Sequence, residues 1–139
     1  MSDAKVDAHV VVVVVVHAPL GSALKSIAEH TYGEHADLTV IDVLPGACAD
    51  DSTGGLLDRL QTLDQGAGVL LLTDLPGASP ANICMRACGF AKAAGTHCQV
   101  VSGVNAAMVL RVLNYHTSDL DELSRVAIEG AIQTIKRVD

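Results

Sequence analysis

The stretch Val10-Val11-Val12-Val13-Val14-Val15-Val16-His17-Ala18-Pro19-Leu20-Gly21-Ser22 decides how the rest of the chain is read. Its valines are β-branched, stiff at χ1 and suited to a pleated strand. The run shows no polar alternation, so both faces of this strand must be covered, as in a parallel sheet flanked by helices. His17 ends the run, and Ala18 to Ser22 turn out of the strand into a helix. Ligand sites in open α/β sheets lie at the carboxyl ends of strands, which makes a titratable ring at that spot a functional candidate.

Working outward, strand and helix signals alternate to the end of the chain. Leu20, Ala23, Leu24, Ile27 and Ala28 recur at helical spacing. A second strand is predicted from about Asp37 to Val43, closing on the turn Leu44-Pro45-Gly46. Asp50, Asp51 and Ser52 offer cap and first-turn groups for a helix carrying Leu56, Leu57, Leu60 and Leu63, with Gly66 and Gly68 ending it. A third buried strand runs from about Gly68 to Thr73 and stops at Asp74, and a helix follows from Ser79 to about Ala93. A fourth strand, His97 to Ser102, leads through Gly103-Val104-Asn105 to a short helix with Val109 and Leu113. Ser118 or Asp119 caps a last helix with Leu120, Leu123, Ala127, Ala131 and Ile135. Strict alternation without repeats or linkers predicts one α/β domain over residues 1–139. Its sheet is doubly wound and mainly parallel, with four strands in the order 2-1-3-4 and helices on both faces.

Composition narrows the function. The chain has 139 residues, half of them hydrophobic, and a formal net charge of -7. No apolar stretch reaches the roughly 18–20 residues that cross a bilayer, and the valine run follows Asp3, Lys5 and Asp7, so neither an anchor nor a signal peptide is expected. The acidic balance argues against a nucleic-acid surface, as does an aromatic set of one Phe, two Tyr and no Trp. Cys48, Cys84, Cys88 and Cys98 form no C-x-x-C pair and match no zinc spacing, so they read as free buried thiols of a cytoplasmic protein with no metal.

The chemistry gathers at two strand ends. In the order 2-1-3-4 the first and third strands are neighbours, which brings His17 and Asp74 to one switch point across 56 intervening residues. A carboxylate on one imidazole nitrogen fixes the tautomer and leaves the other nitrogen free to attack. Taken singly, His17 reads as a loop histidine and Asp74 as a helix-flanking acid; it is their joint placement at the switch point that makes them a functional pair. Gly77-Ala78-Ser79-Pro80 adds a helix start, with Ser79 as N-cap and Pro80 at the first helical position, where exposed amides and the helix dipole suit phosphate. Neither G-x-x-x-x-G-K-[ST] nor G-x-G-x-x-G is present, so a phosphoryl group would come from another protein rather than from a bound nucleotide. Asn105 stands on the same rim and is a candidate for lining the site. His9, His30, His35, His97 and His116 read as structural or surface residues, and Arg111 as a partner contact or a solvated side chain.

Three stretches carry a resemblance over nearly the whole chain: V-V-V-H-A-P-L-G at 14–21, L-L-L-T-D-L-P-G-A-S-P-A-N at 70–82 and S-G-V-N-A-A-M-V-L-R at 102–111. In order and spacing they resemble the enzyme IIA domain of the mannose-type sugar phosphotransferase system. The resemblance implies that His17 is phosphorylated by the phosphocarrier protein HPr and discharged to a IIB component. It further implies a phosphoryl group on Nε2 with Asp74 holding Nδ1, Ser79 on the phosphate, no cofactor, and contact with the membrane only through a permease. It also implies a homodimer in which a C-terminal segment crosses over; by its residues, Ile132 to Val138 reads as the end of a helix or as a short strand. The chain departs from the family at Ala18, where glycine is usual, and at Leu75-Pro76, where an aromatic is common. No fused IIB domain is expected within its 139 residues. The same residues would serve a regulatory interaction module whose phosphorylation state other proteins read. A dihydroxyacetone-kinase phosphocarrier domain and a non-covalent ligand binder are more distant readings.

Overall fold

A computed structural model of the protein describes residues 8–34 and 36–139, so the readings placed on Asp3, Lys5, Asp7 and His35 lie outside the described residues. The chain runs β1 (Val11–His17), α1 (Leu20–Tyr32), β2 (Thr39–Val43), α2 (Ala49–Leu63), β3 (Val69–Leu72), α3 (Ser79–Ala93), β4 (Cys98–Val101), α4 (Ala106–Leu113) and α5 (Leu120–Thr134). The four strands form one parallel sheet in the order β2-β1-β3-β4.

The valine run and β3 are the two interior strands of this sheet because both are apolar on both faces. Val12, Val14 and Val16 pack with Leu24, Leu72 and Leu123 under α1, α4 and α5. Val13 and Val15 face the other way, onto Leu56, Leu60 and Ile83 of α2 and α3. Val13 to Val16 are all fully buried. Burying each contributes on the order of 1.5–3 kcal/mol, so a polar residue anywhere inside the run would forfeit one of the two cores.

The element ends differ from the sequence expectation in instructive ways. α2 begins at Ala49 with Cys48 at the cap position, so Asp50 and Asp51 occupy the first turn and Ser52 is not a cap. Cys48 is exposed and corrects the expectation of four buried thiols, whereas Cys84, Cys88 and Cys98 are buried. α2 ends at Leu63, before the glycines. The Asp64 carboxylate accepts from the N–H groups of both Gly66 and Gly68, and the chain turns there into β3. A side chain at Gly68 would meet the His97 carbonyl at 3.0 Å, which is why the turn demands glycine. α5 stops at Thr134, which leaves Ile135 as its C-cap rather than as a core position. No helix among the described residues is long and apolar enough to cross a membrane.

Candidate active site

β1 outruns its neighbour. Val14 pairs with Leu72, the last residue of β3, while β1 continues to His17 beside Val43 of β2. The chain leaving β3 therefore passes along the end of β1, and Thr73 stays tied to β4 through its N–H on the Val101 carbonyl at 2.9 Å. Asp74 comes next and turns its carboxylate to His17. Its Oδ2 accepts from the His17 backbone N–H at 2.9 Å and lies 2.8 Å from the ring Nδ1. Its Oδ1 accepts from the Leu75 N–H at 2.8 Å.

That geometry fixes the tautomer. An ionised carboxylate only accepts, so Nδ1 carries the proton and Nε2 keeps its lone pair. The His17 side chain is 48% exposed and that of Asp74 only 12%, so the ring is anchored from within and free at its outer edge. Burial pushes the Asp74 carboxyl up, but the hydrogen bonds from the His17 backbone, the His17 ring and the Leu75 backbone outweigh it and hold the group below its ordinary range. The pair thus consists of a charged carboxylate and a half-exposed imidazole whose Nε2 keeps its lone pair.

Gly77, with φ +82°, turns the chain toward α3. Ala78, not Ser79, is the N-cap there; it makes no side-chain cap bond, Ser79 is the first helical residue, and Pro80 follows one place later than expected. The correction has a simple cause. Ala78 adopts the extended conformation a cap requires, and Ser79 has already turned helical. The first turn of α3 holds no acidic residue, and Ser79 is exposed. Two other helix starts are capped by their own side chains: Asn105 accepts from the Met108 N–H at 3.0 Å, and Asp119 from the Glu122 N–H at 3.0 Å, while Cys48 leaves the start of α2 without a side-chain cap. Asn105 stands on the rim beyond β4, and its carbonyl oxygen is engaged in capping α4.

Asp42 and Thr73 escaped the sequence reading. Asp42 lies in β2 and reaches under α1, where its carboxylate accepts from the N–H groups of Gly21 at 2.7 Å and Ser22 at 3.1 Å. An acid inside the apolar strand Val40-Ile41-Asp42-Val43 was the available signal. Thr73 is fully buried, and its hydroxyl has no hydrogen-bond partner among the described residues. Behind it burial pushes the Cys84 thiol up to about 12, which makes it inert rather than nucleophilic. The rings of His9 and His116 lie 5.2 Å apart at the amino ends of the strands, beside a cavity of about 360 Å³ and away from His17.

The family described as the PTS system fructose IIA component matches residues 11–127. The PTS system mannose-specific EIIAB component of Escherichia coli K12 is 30% identical over 129 residues, which cover 91% of this chain and 39% of that protein. The chain thus spans about two fifths of the length of that relative. Among solved structures, the mannose/sorbose-specific IIA subunit of the phosphotransferase system from Enterococcus faecalis superposes with a TM-score of 0.82 at 21% identity, covering 94% of this chain and 95% of that one. The phosphotransferase system component EIIA from Streptococcus agalactiae gives 0.80 at 20% identity, over 92% and 96% of the two chains. At those identities the likeness shows a shared fold.

Proposed function

Because the chain belongs to the EIIA-man family of phosphotransferase system IIA components, we propose that it is a phosphocarrier whose phosphoryl group rides on His17. The observation that carries the reading is the 2.8 Å contact of Nδ1 with Asp74 on a half-exposed ring. The donor is phosphorylated HPr. As Nε2 of His17 bonds to phosphorus, the donor's P–N bond breaks and its electron pair returns to the donor ring. The His17 ring gains positive character in that step, and the Asp74 carboxylate stabilises it. The backbone amide of Gly77 and the Ser79 hydroxyl are the groups assigned to the phosphoryl oxygens at the start of α3, whereas the Ala78 N–H, expected to join them, donates to the Leu75 carbonyl at 3.2 Å. Discharge to a IIB component reverses the same chemistry and serves sugar uptake or its regulation.

The protein works in the cytoplasm as a homodimer in this reading. Ile128 and Ile132 are exposed one turn apart on α5, and Ile135 and Val138 continue the apolar surface beyond its end. That surface suits a second copy of the chain. Incubation with phosphoenolpyruvate, enzyme I and HPr, followed by intact-mass measurement, tests the function. The wild type gains one phosphoryl group and a folded His17→Ala variant gains none. An equal gain by that variant refutes the assignment.

A further inference from the structure

We infer that Asp42 is a positioning residue for His17, holding the nucleophile's connection to α1 from the neighbouring strand. The inference rests on the phosphocarrier reading for its kinetic consequence, though the geometry stands without it.

Between His17 and Ser22 the chain is tied at both ends to carboxylates. At one end Asp74 accepts from the His17 N–H and lies against its ring. At the other, Asp42 Oδ1 accepts from the Gly21 N–H at 2.7 Å, and Oδ2 accepts from the Ser22 N–H at 3.1 Å and the Ser22 hydroxyl at 2.5 Å. The Ala18 N–H on the Val43 carbonyl, at 3.1 Å, adds a third tie to β2. Asp42 pairs with Val16 in the sheet, immediately before His17, so the strand that aligns the nucleophile also carries the clamp.

Local sequence cannot supply this cap. Pro19 stands at the N-cap of α1 and has no side-chain acceptor, which leaves the first-turn amides without a local partner. A carboxylate from β2 fills them and complements the dipole. The fit is close enough to dictate a second residue, since a Cβ at Gly21 would lie 2.6 Å from Asp42 Oδ1. Packing alone would favour an apolar residue at a half-buried strand position and would not require glycine in the first turn of a helix. Asp42 and Gly21 therefore belong together as one device, and what that device holds fixed is the segment leading out of His17.

In Asp42→Asn one oxygen remains, and an N–H group meets the Ser22 N–H. The clamp is thereby halved while the side chain keeps its shape.

The test uses the whole chain as wild type, Asp42→Asn, Ser22→Ala and the control Leu24→Ala, which loosens α1 through its core face. Transfer from phosphorylated HPr gives kcat and KM, and imidazole ¹⁵N shifts report the His17 tautomer. Asp42→Asn should lower kcat about tenfold with KM within about twofold, and should mix the tautomers of His17. Ser22→Ala, which removes one of the three bonds, should do the same to a smaller extent and covers the case of an Asp42→Asn variant that does not fold. Leu24→Ala should keep wild-type kcat and tautomer despite lower stability. Wild-type kcat and tautomer in both clamp variants, or an equal kcat loss in Leu24→Ala, overturn the inference. A wild type that takes no phosphate refutes the phosphocarrier reading instead, and the tautomer shifts then decide the positioning role alone.

Discussion

Replacing Asp74 by asparagine probes the site with little change of shape. The carboxylate takes three bonds: two on Oδ2 from His17 and one on Oδ1 from the Leu75 N–H. Asparagine has one oxygen. If that oxygen faces His17, its amide group meets the Leu75 N–H; if it faces Leu75, the ring loses its acceptor. The backbone bonds are present before and during transfer, so their loss falls on stability, at about 0.5–1.5 kcal/mol because both donors belong to exposed residues. The ring bond is different, because it strengthens as the imidazole becomes cationic. A charge-assisted hydrogen bond contributes about 1.5–3 kcal/mol, which at 1.36 kcal/mol per decade is a rate loss of about 10- to 100-fold. The assay is the initial rate of phosphoryl transfer from phosphorylated HPr, followed by intact mass well below the melting temperature. The linkage sign is also defined. A carboxyl held below its ordinary range contributes stability that is present above its unfolded pKa and is lost as pH falls through its folded value. The stability gap between wild type and Asp74→Asn should accordingly close under acid conditions. A folded variant that transfers phosphate within about twofold of wild type would refute the reasoning.

Two further substitution and labelling experiments follow from the packing. Gly21→Ala gains about 1 kcal/mol of helix propensity. Its Cβ meets Asp42 Oδ1 at 2.6 Å, however. Overpacking of that kind costs about 1–3 kcal/mol, and the net result should be a melting temperature lower by about 5 °C in calorimetry. A rise would show that Asp42 relaxes freely. Maleimide labelling of the native protein should modify Cys48 quickly and spare Cys84, Cys88 and Cys98 until denaturant is added, since only Cys48 is exposed. Rapid labelling of all four thiols would contradict the buried positions of the other three.

The sheet and its order were legible because the valine run permits only one environment. A strand apolar on both faces must be interior, and alternation with helices then fixes parallel neighbours and right-handed crossovers. The approach of His17 to Asp74 followed from that order, since a residue just past β3 lies beside the end of β1. Asp42 was not legible as a cap. Its partners are 20 and 21 residues away, and capping rules look only to the residue next to the helix. The Ser79 cap was placed one residue late because sequence preference names the residue type, whereas the backbone conformation chose Ala78. Cys48 was misread as buried because composition describes thiols on average, while this one sits at a helix start on the surface.

The phosphoryl group can ride on either ring nitrogen of a histidine, and at His17 the contact with Asp74 leaves only one of them free. Long-range ¹H–¹⁵N correlation spectra of the phosphorylated protein read this directly. With Nδ1 held by Asp74 at 2.8 Å, the phosphorus must be bonded to Nε2 of His17, with Nδ1 still protonated. A spectrum showing phosphate on Nδ1, or on any histidine other than His17, would contradict it.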